Sequence, residues 1–125
     1  MKAIIKEIHS PDISDLPNFV PEEHDNFCVY IQVIIGPENK QGGESFDFLV
    51  CSPTWIMNET KKDKIFFGKG YIVVDEYCFS KIYDFILDLC LKTSGDSWKT
   101  IANKLSRYGN WEFKDYLDCK NEPLK

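Results

Sequence analysis

Hydrophobic and polar positions recur with two periods along the chain. Residues 26–35 alternate strictly, with Phe27, Val29, Ile31, Val33 and Ile35 on one face and Cys28, Tyr30, Gln32 and Ile34 on the other. Both faces are largely apolar, which predicts a central strand. Residues 2–9 predict a first strand, with Ala3, Ile5 and Glu7 on one side and Ile4, Lys6 and Ile8 on the other. Residues 44–51 predict a third, in which Phe46, Phe48 and Val50 oppose Ser45, Asp47, Leu49 and Cys51. The turn-forming stretch from Gly36 to Gly43 makes an antiparallel hairpin of the second and third strands. Tyr71 to Asp75 predicts a fourth strand.

The period then changes. Ser52-Pro53 is a polar cap followed by proline at the first helical position, and predicts a short helix near 53–59. Residues 60–70, rich in Lys and Gly, predict a loop. In 77–92, Cys78, Phe79, Ile82, Phe85, Ile86, Leu89 and Cys90 form one apolar stripe at helical spacing. Asp96 is a suitable N-cap for a second long helix, whose stripe is Trp98, Ile101, Ala102, Leu105 and Tyr108, with Gly109 closing it. Trp111 to Leu117 predicts a last short helical turn. The domain then spans residues 1–117, and 118–125 form a polar tail. Strands first and helices last predict an α+β fold. The expected architecture is a mostly antiparallel sheet of about four strands with the two C-terminal helices on one face.

A length of 125 residues suits one domain. The longest apolar run, Phe27 to Ile35, is interrupted by Gln32 and is far short of the roughly 20 residues that span a bilayer. The first residues lack the apolar core of a signal peptide. The five cysteines are odd in number and scattered, which argues against a disulfide framework or a zinc knuckle and for core thiols in a reducing cytosol. A cytoplasmic protein without a membrane segment is the expectation.

Charge changes the picture. The net charge is −5, but seven acids fall between Glu7 and Glu38, a window with no Lys or Arg. Five of the seven lie in the proline-rich segment 10–25, which predicts a long loop tied down by Ile13, Leu16, Phe19 and Val20. Loops of that length inside a small domain are commonly functional. Asp12, Asp15, Glu22, Glu23 and Asp25 are therefore the candidate partner-binding acids, and steering of a basic partner is the physics they support. Phe19, Val20 and Trp55 are the candidate apolar anchors beside them. The plainer reading is that the acids solvate a loop and that Trp55 caps the core. Nucleic acid is excluded as a partner, since it needs a basic footprint.

Catalytic motifs are absent: there is no P-loop, GxGxxG, GxSxG or HExxH. His9 and His24 are the only histidines. A small enzyme built on His24 with Cys28, or His9 with Cys51, is a rival reading without a supporting pattern. The acids lack the alternation and fixed glycine of a cation loop, so neither metal nor cofactor is expected. A third reading is an adaptor, or a homodimer through an exposed sheet face.

Four segments carry a family resemblance: Ile8-His9-Ser10-Pro11-Asp12; Phe46-Asp47-Phe48-Leu49-Val50-Cys51-Ser52-Pro53 with Trp55 after it; Tyr71-Ile72-Val73-Val74-Asp75; and Gly95-Asp96-Ser97-Trp98 through Lys104-Leu105-Ser106-Arg107 to Trp111-Glu112-Phe113. Their order and spacing resemble immunity protein family eight of bacterial polymorphic toxin systems, over about residues 1–117. The resemblance implies an α+β immunity protein of the contact-dependent growth inhibition type. Such a protein stays in the cytoplasm and binds the C-terminal domain of a cognate toxin, commonly a nuclease. It supplies no catalytic residues and no contact residues, so the candidate positions above rest on the residues themselves. A nuclease site is basic because it holds phosphates, and an acidic surface can occupy it as a phosphate mimic. Protection from a lethal enzyme calls for nanomolar binding, about −12 kcal/mol. A standard interface takes about 800 Å² from each partner, more than an acidic loop alone supplies, hence the apolar anchors.

Overall fold

The strictly alternating segment forms the middle of the sheet. In a computed structural model, which describes residues 1–111, it is strand β2 (Cys28–Pro37). Across a turn, β3 (Glu44–Cys51) pairs with it antiparallel, from Cys28 opposite Cys51 to Ile35 opposite Glu44. Val29, Ile31, Val33 and Ile35 from β2, with Phe46, Phe48 and Val50 from β3, are buried on one face. Two helices later in the chain cover that face.

Strand β1 (Ala3–His9) lies antiparallel on the other side of β2. The expected alternation fails here, because the register shifts between Ile5 and Glu7. This bulge, centred on Lys6, brings Ile8 onto the core face with Ile5 and Ala3 and turns Glu7 and His9 to the opposite face. The irregular step half-buries an isoleucine that strict pleating would have left on the polar side.

Helix α1 (Pro53–Asp63) begins where expected but runs past residue 59, to a left-handed Lys64 at φ 70°. The crossover through α1 returns the chain to β4 (Tyr71–Val73), which pairs with β3 in parallel, as a strand reached through a helix readily does. Helices α2 (Phe79–Lys92) and α3 (Trp98–Leu105) follow. A fifth strand, β5 (Asn110–Trp111), pairs antiparallel with Phe46 and Asp47 of β3. The sheet is therefore mixed, with five strands rather than about four, and mostly antiparallel. Trp111 belongs to this strand and not to the expected helical turn, because its ring stacks on Phe46 with centroids 6.1 Å apart. The rest of that turn, and the tail expected over 118–125, lie outside the described residues.

The two later helices lie on the sheet's core face as the pattern predicts. α2 buries Ile82, Ile86 and Cys90, and α3 buries Ile101, Ala102 and Leu105. Ser97, not Asp96, caps α3, its Oγ accepting from the Thr100 backbone N–H at 3.2 Å. Tyr108 leaves the stripe because α3 ends at Leu105. Gly109 is needed for close approach rather than for a left-handed turn: a Cβ there would stand 2.6 Å from the Phe48 ring. Ser52 joins three elements. It is fully buried, its N–H donates to the Phe27 carbonyl at 3.1 Å, and its Oγ accepts from the N–H groups of Phe27 (3.1 Å) and Trp55 (3.4 Å).

One carboxyl sits awkwardly at the mouth of the core. Glu44 opens β3 beside the indoles of Trp98 and Trp111, and its Oε2 and the Trp111 Nε1 are buried with no hydrogen-bond partner among the described residues. Burial pushes the carboxyl above its usual range, and the two indole N–H groups oppose the shift without reversing it. The folded state thus holds the proton more tightly than the unfolded chain. The contribution of Glu44 to stability is full below the ordinary carboxylate range and is lost as pH rises through its raised value. Glu44→Gln removes that loss. Urea midpoints are expected to favour the variant at pH 7, by less than about 1 kcal/mol because the group is only partly buried, and to converge near pH 4.

Candidate partner-binding surface

The acidic loop is ordered by its apolar residues. Leu16 is buried, and Ile13 and Phe19 pack against the core. Tyr77, just before α2, donates its hydroxyl to the Leu16 carbonyl, and its ring meets Phe19 edge-on at 5.2 Å and Phe27 edge-on at 6.3 Å. Burial, with Asp15 nearby, pushes the Tyr77 phenol up to about 12, so it remains a neutral donor. Asp15 also closes its own turn, accepting from the Asn18 backbone N–H at 3.4 Å and from Asn18 Nδ2 at 2.9 Å. The Asp12 backbone N–H donates to Ser10 Oγ at 3.2 Å.

The candidate residues separate into two places. Glu22 and Glu23 line a groove of about 370 Å³ with Phe19, Pro21, Asn26 and Cys28. Asp12, Asp15 and Asp25 are exposed on the same loop. Among the described residues, none of these five acids is in an ion pair; the pair found is Asp88 with Lys92, and Glu7 lies 3.7 Å from His9 Nδ1. Phe19 is a half-buried tether at the groove wall, while Val20, 80% exposed, is the loop's free apolar side chain. Trp55 does not line this groove. It sits in the first turn of α1 and stacks on Tyr71 of β4, with centroids 6.2 Å apart.

A second polar feature was not legible in the chain, because it exists only through strand register. On the sheet face away from α2 and α3, Tyr30 Oη donates to Asp47 Oδ2 at 2.6 Å and Ser45 Oγ donates to Asp47 Oδ1 at 3.1 Å. Gln32 Nε2 donates to Tyr30 Oη at 3.4 Å, and Gln32 Oε1 meets His9 Nε2 at 2.9 Å. His9 Nδ1 is 3.7 Å from Glu7. The ladder crosses three strands and holds a second carboxylate, Asp47, in fixed orientation.

The histidines and cysteines sit differently from a catalytic pair. His9 is engaged by Gln32 and Glu7, and His24 is exposed on the loop. Cys28 instead meets Cys51, directly across the β2–β3 ladder, with the Cys51 thiol donating to Cys28 Sγ at 3.0 Å. That donation pulls the Cys28 thiol below its ordinary range and holds the Cys51 proton in place. Among the described residues, no three His, Cys, Asp or Glu side chains gather into a metal-holding group, and no helix is long and apolar enough to cross a membrane.

The surface thus presents carboxylates held in place, a groove of mixed polar and apolar lining, and acids without ion pairs among the described residues, an arrangement suited to receiving a basic protein surface. The family model for immunity protein 8 matches residues 3–116 of the chain. No curated protein and no solved structure matches it.

Proposed function

The chain belongs to the immunity protein 8 family, and from that premise we propose that it neutralises a toxin domain, a nuclease, by binding it through the acidic loop. Family membership supplies the immunity role and the cognate toxin. The loop supplies the mode of binding. The observation that carries it is the set of five acids, Asp12, Asp15, Glu22, Glu23 and Asp25, on a loop pinned by Leu16, Phe19 and Tyr77 and left without ion pairs among the described residues.

Unneutralised like charges on a rigid support are costly in the free protein and favourable against a basic partner. A nuclease active site is such a partner, since it must hold phosphates. Glu22 and Glu23 take the place of two phosphates, and Val20 and the groove floor add apolar contact. Inhibition is then occlusion by a binder with no chemistry of its own, in the cytoplasm of the cell that carries the toxin gene. Trp55 joins only a partner broad enough to reach α1 as well as the loop.

The test is a cleavage assay with the toxin C-terminal domain encoded beside this chain. Equimolar chain is expected to stop degradation of DNA or RNA. Cleavage that continues in the presence of a formed complex would overturn occlusion, and a toxin domain with no activity on nucleic acid would overturn the nuclease assignment.

A further inference from the structure

Among the described residues, Ile65, Phe67, Val73, Phe85 and Tyr108 are exposed apolar side chains on or near the segments around β4. Strand β4 pairs only with β3, and its other edge carries no strand among the described residues. Leu49 N–H donates to the Gly70 carbonyl at 2.8 Å, and Val74 N–H donates to the Cys51 carbonyl at 2.9 Å. Residues 70 and 74 therefore turn their backbone toward β3, and the alternation turns the N–H and C=O of Val73 outward.

Within β4 only its short length, three residues, guards this edge. Natural edges are blunted by charge, proline or a bulge, whereas Tyr71-Ile72-Val73-Val74 has neither charge nor proline, and Val73 is 55% exposed. Between β4 and α2 runs an apolar groove of about 340 Å³, floored by Ile72, Ile82 and Phe85. A neighbouring hollow continues it past Phe85 to Tyr108. Ile65 and Phe67, in the loop leading into β4, are 80% and 85% exposed. A contiguous exposed apolar surface of this kind marks an interaction site. The charged residues lining the two are basic, Lys81 in the groove and Lys69 and Arg107 in the hollow, while the exposed acids Asp75 and Glu76 follow directly on Val74. Among the described residues, none of the three bases is in an ion pair.

We infer that the β4 edge accepts an extended segment of a partner protein as an added strand, and that this segment alternates apolar with acidic residues. The outward-facing backbone groups of Val73 supply directional hydrogen bonds, the groove takes alternate apolar side chains, and the lysines and arginine lining the groove and the hollow select carboxylates. A membrane surface would use the apolar side chains and the lysines but not an outward-facing strand backbone or a groove, which is why a peptide is the occupant favoured. This surface is distinct from the acidic loop and does not depend on the partner's being a nuclease.

The test uses the full chain, panned against a displayed library of random 12-residue peptides. A selected peptide is then titrated into the 15N-labelled protein. Enriched peptides are expected to alternate apolar residues with Asp or Glu, to shift the Val73 amide and to slow its hydrogen exchange. Phe85→Asp and Lys81→Glu each weaken binding at least tenfold, while Glu22→Lys leaves it unchanged. Val73→Lys, at an exposed position, carries the test if Phe85→Asp does not fold. Enrichment without that alternation, shifts confined to residues 10–25, or no enriched peptide would overturn the inference. So would binding to phosphatidylserine-containing vesicles that depends on Phe67 in a protein that selects no peptide.

Discussion

Reversing Glu22, Glu23 and Asp25 to lysine is expected to slow association with the toxin domain by about 10–100-fold and to flatten its dependence on salt. All three side chains are exposed, so the fold should not change. Glu22 and Glu23 line the groove, and no base among the described residues pairs with them, so their field reaches solvent undiminished by a neighbour. The substitution converts an attractive patch into a repulsive one. The effect should appear mainly in the association rate, because long-range charge acts on encounter. Stopped-flow association at two salt concentrations separates the outcomes. A rate that barely moves places the interface off the loop, with the Asp47 ladder and the β4 edge as the remaining candidates.

Ser52→Ala is expected to cost about 2–3 kcal/mol, a large effect for the loss of one hydroxyl. Capping α1 accounts for only part of it. The same oxygen accepts from the buried Phe27 N–H, which would be left without a partner, at the point where the acidic loop enters β2. Ser97→Ala, which removes an exposed cap on α3, gives the comparison, at about 1 kcal/mol. In urea, with a slope of roughly 1–3 kcal/mol per molar, the Ser52 variant should unfold roughly 0.7–3 M earlier than the parent. A Ser52→Ala midpoint no lower than that of Ser97→Ala would contradict the double role. Because Ser52 ties the loop's exit to α1, the variant should also loosen residues 10–27, seen as faster amide exchange there.

These residues show why some features could be read from the chain and others could not. Ser52-Pro53 announces a helix start by local chemistry alone, whereas the bond from Phe27 to Ser52 depends on β2 and β3 lying side by side. The central strands were legible because period two leaves little choice of face, and α2 and α3 because their stripes are long. The bulge in β1 was not, since burial of Ile8 overrides the local alternation. Nor was the parallel β4, too short at three residues to declare its direction. The two-residue β5 is defined by the stacking of Trp111 on Phe46 rather than by any pattern.

The candidate surface divides in the same way. Its charge was visible as a run of acids without bases, and its tethering followed from Ile13, Leu16 and Phe19 among the prolines; Val20, expected to join them, is 80% exposed because its side chain does not pack on the core. Trp55 is a candidate anchor from its place at an element end beside charges, and the structure stacks it on Tyr71 of β4. The Asp47 ladder and the open β4 edge are properties of register and topology, so no inspection of single residues reveals them.

Mixing the chain with the C-terminal domain of the toxin encoded beside it, and measuring heat of binding and solution mass, tests the central claim most directly. The account predicts a one-to-one complex with a dissociation constant at or below about 1 nM. Failure to form a complex at micromolar concentrations of both proteins would contradict it.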